Sequence, residues 1–306
     1  MGNSHSHQHI DVSDKKLSYV ILLNLIITGA EFIGGLLSNS LSLISDAVHN
    51  LGDSLGLILA FVASKIGRKK SDMKYTFGRK RAEILAAFVN ALILIFICLY
   101  LLKEAYERYI NPEPIHGKLM IIVALIGLAA NFISVILLQK GKSSNINMKA
   151  AYLHLMGDTL SSIAVVLGGI AIWLWGIIWI DPFITVVVSL YIIYHTWEVL
   201  KKSVDILMQG VPEEININEI IREIEIIDEV RDIHHLHIWQ LNEENIHFEA
   251  HVNVEENINM EQMMKVKKKI EDILHKNNIY HTTLQIGYKC CKEDTPLIVE
   301  ENNINN

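Results

Sequence analysis

Six long apolar segments leave this chain few folds to adopt. Each is close to the roughly 20 residues that a helix needs to cross the hydrocarbon core of a bilayer. The chain has 306 residues and is 51% hydrophobic, with a mean hydropathy of +0.28, which is too apolar for an ordinary soluble enzyme. The sequence therefore predicts a polytopic α-helical membrane protein with six transmembrane helices, at residues 19–37, 43–64, 84–106, 119–138, 150–175 and 183–200.

Lys and Arg are distributed unevenly among the connections between these segments. Eight of them lie within residues 65–81, and three more lie within residues 140–149. Residues 38–40 and 176–181 contain none. Because basic loops stay on the cytoplasmic side of a membrane, we expect both termini and the even-numbered loops to be cytoplasmic, in a multi-pass protein of the cell (plasma) membrane.

From residue 203 onward the chain becomes acidic and its pattern changes. Residues 203–306 hold 21 Asp and Glu against 9 Lys and Arg, a net charge of −12, so the preceding 202 residues carry +5 within a total of −7. Helical and strand periodicities follow one another in the order αββαβ, which predicts a small α/β sandwich with both helices on one face of the sheet. The predicted elements are helix 218–227, strands 230–239 and 246–254, helix 260–277 and strand 282–288.

These patterns predict four parts along the chain. Residues 1–18 form a cytoplasmic tail that contains His5, His7 and His9, and residues 19–202 form the six-helix transmembrane domain. Residues 203–291 form the cytoplasmic α/β domain. Residues 292–306 are polar and are predicted to be disordered.

One spacing occurs twice within the apolar segments: His49-x-x-x-Asp53 and His154-x-x-x-Asp158. Four residues advance a helix by about one turn, so each pair shares a helix face. A charged Asp at the centre of a membrane helix costs roughly 2.5–3.5 kcal/mol on insertion scales, so two such residues require a functional reason. Two imidazoles and two carboxylates complete a tetrahedral shell for Zn²⁺, and suit Cd²⁺ or Co²⁺ as well. Two unrelated polar pairs that join helices by hydrogen bonds are the alternative.

The same four residues suggest how a metal could be moved. Metal ligands must be deprotonated, so metal and protons compete for the same groups, and His titrates near neutrality. A site that exchanges a metal ion for protons, between helix pairs that expose it to one side at a time, couples metal efflux to the proton gradient. We therefore predict proton-coupled efflux of a divalent metal.

Four segments resemble the cation diffusion facilitator family, specifically its zinc-exporting bacterial branch. They are SLSLISDAVHNLGD at 40–53, YTFGRKRAE at 75–83, AYLHLMGD at 151–158 and HLHIW at 235–239. The resemblance extends over nearly the whole chain. It implies six transmembrane helices, a homodimer, a ferredoxin-like cytoplasmic domain and proton-coupled export of metal. It also implies that the transport ligands are His49, Asp53, His154 and Asp158.

The resemblance also bears on regulatory metal. It places His234 and His251 near the position where relatives bind regulatory Zn²⁺ at the dimer interface, with Gln285 at the position of the final ligand. Partners for that site are sought among His281, Cys290 and Cys291. Strand alternation predicts that His235 and His237 share one face and that His234 points to the other.

In some relatives the loop between the second and third segments binds an additional metal through His residues. Here Tyr75 and Arg79 occupy the matching positions, and Asp72 is the remaining candidate ligand. We therefore expect the loop site to be absent. The N-terminal His5, His7 and His9 could gather metal near the cytoplasmic mouth, or form a polar tail without function.

Other classes of function are weighed against transport. A metal-responsive membrane sensor would signal through the cytoplasmic His cluster, with structural ligands in the membrane, and would bind Zn²⁺ without moving it. An ion channel would conduct without counter-transport. No phosphate loop or nucleophile constellation indicates an enzyme, and no cofactor is expected, since Zn²⁺ is a substrate and a candidate regulatory ligand. The basic run 65–81 is explained by topology and by contact with the lipid bilayer, so no nucleic-acid partner is expected.

Overall fold

The computed structural model describes residues 14–139 and 146–288 of the chain. The N-terminal histidines, Cys290, Cys291 and the tail 292–306 lie outside the described residues. Each of the six apolar segments is helical. The helices are α1 (Asp14–Ser38), α2 (Leu41–Gly67), α3 (Ala82–Ile110), α4 (Gly117–Gln139), α5 (Ile146–Trp175) and α6 (Ile180–Leu207).

Four helical segments are long and apolar enough to cross a membrane. They are α2, α3, the Met156–Trp175 part of α5, and α6. Helices α1 and α4 contribute shorter apolar stretches, Asn24–Ser38 and Gly117–Ile133, within the part of the chain that was searched. The membrane region therefore has four candidate spans by length and composition. Helix α1 begins at Asp14, inside the segment that the sequence assigned to the tail.

The described helices divide between two compact units. One comprises the described residues up to Val62 together with Ala86–Leu200, and the other comprises Ala63–Leu85 together with the residues from Lys201 onward. In the first unit, α4 packs against α1 and α5. Its largest apolar cluster contains side chains from each of the five helices α2, α3, α4, α5 and α6. Examples, one from each helix in that order, are Leu43, Cys98, Met120, Val165 and Ile184.

A buried carboxylate fixes the start of α2. Asp181, at the start of α6, is fully buried. Its Oδ1 accepts hydrogen bonds from the hydroxyls of Ser40 and Ser42, both at 2.6 Å, and from the Ser42 N–H at 3.2 Å, while Oδ2 accepts from the Leu41 N–H at 2.8 Å. The first N–H groups of a helix have no partner within the helix. Asp181 satisfies two of them and so fixes the origin of the helix that carries His49 and Asp53.

The second unit contains a three-stranded sheet with two helices. Its elements are α7 (Ile217–Glu225), β1 (Val230–Asn242), β2 (Asn245–Val254), α8 (Met260–Lys276) and β3 (His281–Gly287), which confirms the predicted order αββαβ. Strands β1 and β2 are antiparallel, and β3 runs parallel to β2. A parallel pair requires a crossover connection, which α8 provides.

Local signals explain where these elements begin. The predicted hairpin turn closes where the Asn245 N–H donates to Asn242 Oδ1 at 3.0 Å. Helix α8 starts with a reciprocal capping box between Asn259 and Gln262. Apolar side chains of α7, α8 and the sheet then form one core that includes Ile220, Ile224, Ile233, Leu236, Phe248, Val252, Val266, Ile270 and Leu274.

A β-bulge in β1 corrects the predicted arrangement of its histidines. His235 has φ +49°, and the register passes from the pair His234–His251 to the pair His237–Glu249. The three steps from His234 to His237 in β1 therefore lie opposite only two steps, from His251 to Glu249, in β2, which is the signature of a bulge. His234 and His237 share the face opposite the core, and His235 is the extra residue. His235 also lies against His251 on that face, so the prediction that His234 points to the face opposite that of His235 and His237 is wrong.

Candidate metal centre

The polar side chains of α2 form one stripe along the helix. His49 and Asn50 come three and four residues after Asp46, and four and three residues before Asp53, so the four side chains share one face. Asp46 and His49 are buried, at 2% and 8% exposure, and Asp53 is half-buried. These three ionisable groups therefore lie within the helical bundle rather than on its outer surface.

Helix α5 brings a third carboxylate, that of Asp158, to this stripe. His49 Nε2 lies 2.8 Å from Asp158 Oδ1 and 3.9 Å from Asp53 Oδ2. One ligand atom from each of His49, Asp53 and Asp158 lies within 4.8 Å of the other two. Among the side chains that the structure describes, this is the one group of three or more His, Cys, Asp and Glu residues that meets this spacing.

The fourth predicted ligand is placed by its backbone. His154 belongs to α5, one turn before Asp158. Its side chain lies outside the part of the chain that is described. Residues four apart on a helix are neighbours on one face, so the position of His154 at the metal centre stays a prediction.

The three described side chains of the cluster lie close to the spacing that a tetrahedral ion needs. With metal–ligand bonds of about 2.0–2.1 Å, neighbouring ligand atoms of a tetrahedral shell lie roughly 3.4 Å apart. The His49–Asp53 separation of 3.9 Å is close to that value. The His49–Asp158 contact of 2.8 Å is a hydrogen bond and would have to open by about half an ångström to admit the metal.

A second buried carboxylate supports the centre without belonging to the cluster. Asp46 accepts hydrogen bonds from the hydroxyls of Ser161 at 2.5 Å and Ser162 at 2.9 Å, both on α5. Ser162 in turn accepts from Asn131 Nδ2 of α4 at 3.1 Å. Asp46 therefore holds α2 against α5 one turn from His49. Its two oxygens are occupied by serine hydroxyls, which distinguishes it from the carboxylates of the cluster.

Tyr191 of α6 is a neighbour of the centre that the sequence did not indicate. Its ring lies 6.3 Å from that of His49, edge to face. A Cβ at Gly157 would come within 2.8 Å of the Tyr191 hydroxyl oxygen, so the glycine next to Asp158 makes room for this side chain. A tyrosine in an apolar helix is an ordinary observation, and nothing in its spacing connects it to His49.

In the second unit, three histidines gather on the sheet face opposite the core. The ring centroids of His234 and His251 lie 5.5 Å apart, and those of His235 and His251 lie 4.8 Å apart. The fully buried His234 contacts Asp232 Oδ1 through Nδ1 at 2.7 Å, and Asn253 Nδ2 donates to the same carboxylate. Partial burial, followed by the neighbouring imidazoles, lowers the pKa of His251. A carboxylate on the far ring nitrogen is a common support for metal-binding His.

A second aromatic group joins the basic loop to the sheet within this unit. His247 stacks on Trp239 at 5.2 Å between ring centroids and lies 4.1 Å from the ring of His281. Phe77, from the loop after α2, places its ring edge-on to His247 at 5.3 Å. Lys80 Nζ donates to Asn245 Oδ1 at 2.6 Å. Burial, His281 and Lys80 lower the pKa of His247 to about 4, so this imidazole is neutral at cytoplasmic pH.

Asp72 is fully engaged inside its own loop. Its Oδ1 accepts from the N–H groups of Lys74 and Tyr75, and its Oδ2 accepts from Arg79 Nη2 at 2.8 Å. These hydrogen bonds, those from Tyr75 and Arg79 foremost, lower the pKa of Asp72. The carboxylate stabilises a turn, and the expectation that this loop lacks a metal site stays a prediction.

Long apolar helices around a buried imidazole–carboxylate cluster, together with a small α/β domain, define a membrane protein with a candidate cation site. Residues 17–208 match the sequence model of the cation efflux transmembrane domain, and residues 212–287 match that of the cation efflux protein cytoplasmic domain. The chain belongs to the cation efflux family, which confirms the resemblance found in the sequence. Members of this family are metal transporters, so the protein is a transporter and not an enzyme.

Curated relatives are similar over nearly their whole length. The metal cation efflux system protein CzcD of Cupriavidus metallidurans is 37% identical, over 96% of this chain and 92% of that protein. The cadmium, cobalt and zinc/H⁺-K⁺ antiporter of Bacillus subtilis is 36% identical, over 96% of both chains. The zinc transporter ZitB of Pectobacterium atrosepticum is 35% identical, over 98% of this chain and 93% of that protein.

Proposed function

We propose that this protein exports a divalent metal ion, Zn²⁺ first and Cd²⁺ or Co²⁺ of the same class, from the cytoplasm in exchange for protons. The ion passes through a site made of His49, Asp53, His154 and Asp158. The observation that carries the proposal is the convergence of His49, Asp53 and Asp158 within 4.8 Å on two facing helices. Mixed nitrogen and oxygen ligands suit borderline ions, and the names of the relatives include zinc, cadmium and cobalt.

The hydrogen bond inside the site supports proton exchange. His49 Nε2 and Asp158 Oδ1, 2.8 Å apart, can form a hydrogen bond only with a proton between them. A metal ion that binds both atoms must displace that proton. Where His49 is doubly protonated or Asp158 is the acid in the empty site, loading the site with metal releases that proton to water, and unloading it takes one up. One of the relatives is named as an antiporter that uses H⁺ and K⁺.

Several further features belong to the same proposal. The protein crosses the plasma membrane six times, with both termini and the basic loops in the cytoplasm, as the distribution of Lys and Arg indicates. Its cytoplasmic domain is ferredoxin-like and mediates a homodimer, in keeping with the family model that is named for a dimer. His234 and His251 bind regulatory Zn²⁺ on the sheet face opposite the core.

The test is metal flux in proteoliposomes that contain a zinc-sensitive dye and a pH-sensitive dye. Wild-type protein is expected to move Zn²⁺ down an imposed proton gradient, with protons moving in the opposite direction. His49→Ala and Asp158→Ala are expected to lower flux by at least about 10-fold, because loss of an outer partner of a metal site alone costs about 10–100-fold. The exposed His237 provides a control, and His237→Ala should transport normally.

Three results would contradict the proposal, each in its own way. Unchanged flux in both site variants would show that His49 and Asp158 do not form the transport site. Zinc binding without flux in the wild type would identify a metal-responsive sensor. Zinc flux without proton movement would identify a channel or a uniporter.

A further inference from the structure

Besides Asp46, another buried carboxyl group lies near the metal centre, on a helix that contributes no ligand to it. Glu31 of α1 is 1% exposed. Its Oε2 accepts a hydrogen bond from Asn50 Nδ2 of α2 at 2.9 Å. Its Oε1 is buried and has no hydrogen-bond partner among the described residues. The mechanism proposed above assigns no role to this group.

Among the described residues, no cationic group contacts Glu31 directly. The Oε1 atom faces Gly127 of α4, where a Cβ would collide with it. The hydroxyl oxygens of Thr28 on α1 and Ser54 on α2 are also buried without a hydrogen-bond partner among the described residues. An ionised carboxylate with a single hydrogen-bond donor and no cation in contact is strongly disfavoured in an apolar interior. The group must therefore carry a proton or face a cation.

The ionisable groups that act on Glu31 come from α2. They are Asp46 and His49, both of which interact electrostatically with Glu31. Helix α4 presents one ionisable side chain in its described part, Lys118, more than two turns from Gly127. Helix α1 has no other acidic or basic residue between Asn24 and Ser38. The charge state of Glu31 is thus linked to the helix that holds the metal.

We propose that Glu31 carries one of the exchanged protons, and this inference rests on the proton-coupled export proposed above. When the metal site is empty, Glu31 is a neutral acid that accepts from Asn50. When a divalent cation binds at His49, the residue next to Asn50, its two positive charges stabilise the Glu31 carboxylate. The O–H bond of Glu31 then breaks and its proton leaves to water. After the metal departs on the other side, Glu31 takes up a proton there.

The test measures protons moved per Zn²⁺ in proteoliposomes for wild type and Glu31→Gln. Glutamine keeps the acceptor for Asn50 and the shape of the acid, but it cannot release a proton. The variant is expected to move about one proton fewer per metal ion, because the ligands are intact and only one titrating group is removed. Ser54→Ala is the matched control, since it removes a neighbouring buried hydroxyl that does not titrate, and its ratio should equal that of the wild type.

If Glu31→Gln fails to fold, Glu31→Asp and infrared difference spectroscopy of the wild type test the same inference. Aspartate keeps a titrating group and should restore the wild-type ratio at a lower rate. In the wild-type protein, adding Zn²⁺ should abolish a carboxylic-acid carbonyl band, and Glu31→Asp should shift that band. A band that is unaffected by Zn²⁺ would overturn the inference without any need for the glutamine variant.

The remaining outcomes separate the inference from the function on which it rests. If the wild type couples Zn²⁺ to protons and Glu31→Gln does so with the same ratio, Glu31 is structural and the inference is wrong. If the wild-type ratio depends on a K⁺ gradient and Glu31→Gln abolishes that dependence, the group binds potassium, and the assignment to a proton is wrong. If the wild type moves Zn²⁺ without protons, the proposed antiport itself fails.

Discussion

At the scale of single residues, the carboxylates near the metal centre differ in their surroundings and not in their chemistry. Asp46 and Asp53 both lie on the polar stripe of α2. Asp46 is held by the hydroxyls of Ser161 and Ser162, whereas Asp53 and Asp158 lie within reach of His49 Nε2. Hydroxyl donors stabilise a carboxylate in place, while an imidazole partner can be replaced by a metal. The neighbours of each residue therefore separate a structural group from a candidate ligand.

We expect Asp46→Asn to destabilise the helical bundle without removing the metal site. An amide oxygen can accept from one serine hydroxyl, but the amide nitrogen cannot accept from the other. One interhelical hydrogen bond in a membrane protein contributes about 1 kcal/mol. The free energy of unfolding should fall by that amount, and the melting temperature in detergent should fall with it. Zinc binding measured by calorimetry should persist. Ser45→Ala is the control, since the Ser45–Ser189 contact is long at 3.5 Å. Loss of all zinc binding in Asp46→Asn would make Asp46 a ligand.

At the scale of elements, the start of α2 is decided by a residue 140 positions away in the chain. Asp181 of α6 receives both the Leu41 N–H and the Ser42 N–H, together with two serine hydroxyls. Its two oxygens serve as a helix cap provided by another helix. The depth of His49 and Asp53 relative to α5 depends on where α2 begins. A cap at that end therefore contributes to the geometry of the metal centre.

Asp181→Ala should lower both stability and zinc affinity. Loss of a capping side chain costs about 0.5–2 kcal/mol, and the freed start of α2 lets His49 and Asp53 move away from Asp158. Thermal unfolding and calorimetric titration with Zn²⁺ measure the two effects. Thr185→Ala provides a matched control on the same helix, because its hydroxyl donates only to the Asp181 carbonyl oxygen. If Asp181→Ala behaved like Thr185→Ala, the cap would have no role in placing the ligands.

At the scale of the whole molecule, the compact units do not follow the order of the chain. The basic loop, residues 65–81, belongs to the same unit as the described cytoplasmic sheet. Phe77 contacts His247, and Lys80 donates to Asn245, so two side-chain contacts join this loop to the sheet. A loop that the charge pattern marks as membrane-flanking is thereby also part of the unit that contains the sheet.

Phe77→Ala should expose this loop to proteolysis. An aromatic pair contributes about 0.5–1.5 kcal/mol, which corresponds to a roughly 2- to 12-fold increase in the open form. Limited trypsin digestion of the full chain in detergent, followed by mass spectrometry, should show faster cleavage after Arg79 and Lys80. Met73→Ala is the control, because Met73 is fully exposed. Equal cleavage rates in the two variants would show that the Phe77–His247 contact does not hold the loop.

Much of the fold followed from the sequence because its signals are local. Apolar length located the six helices to within seven residues at each end, and alternation located the three strands and the hairpin turn. The bulge at His235 was missed, since both strand faces tolerate His and the pattern gave no sign of an extra residue. The proximity of His49 and Asp53 was also predictable from the sequence, because residues four apart are neighbours on a helix.

The sequence by itself determined the class of protein and the residues that could bind a metal, because helix periodicity and the cost of burying charge act along a single segment. Only the tertiary structure decided which polar groups meet. It joined Asp158 to His49 and placed Asp46 between two serine hydroxyls. It also packed one oxygen of Glu31 against Gly127, with no donor among the described residues. These outcomes depend on how helices far apart in the chain pack together. No spacing within one helix contains that information.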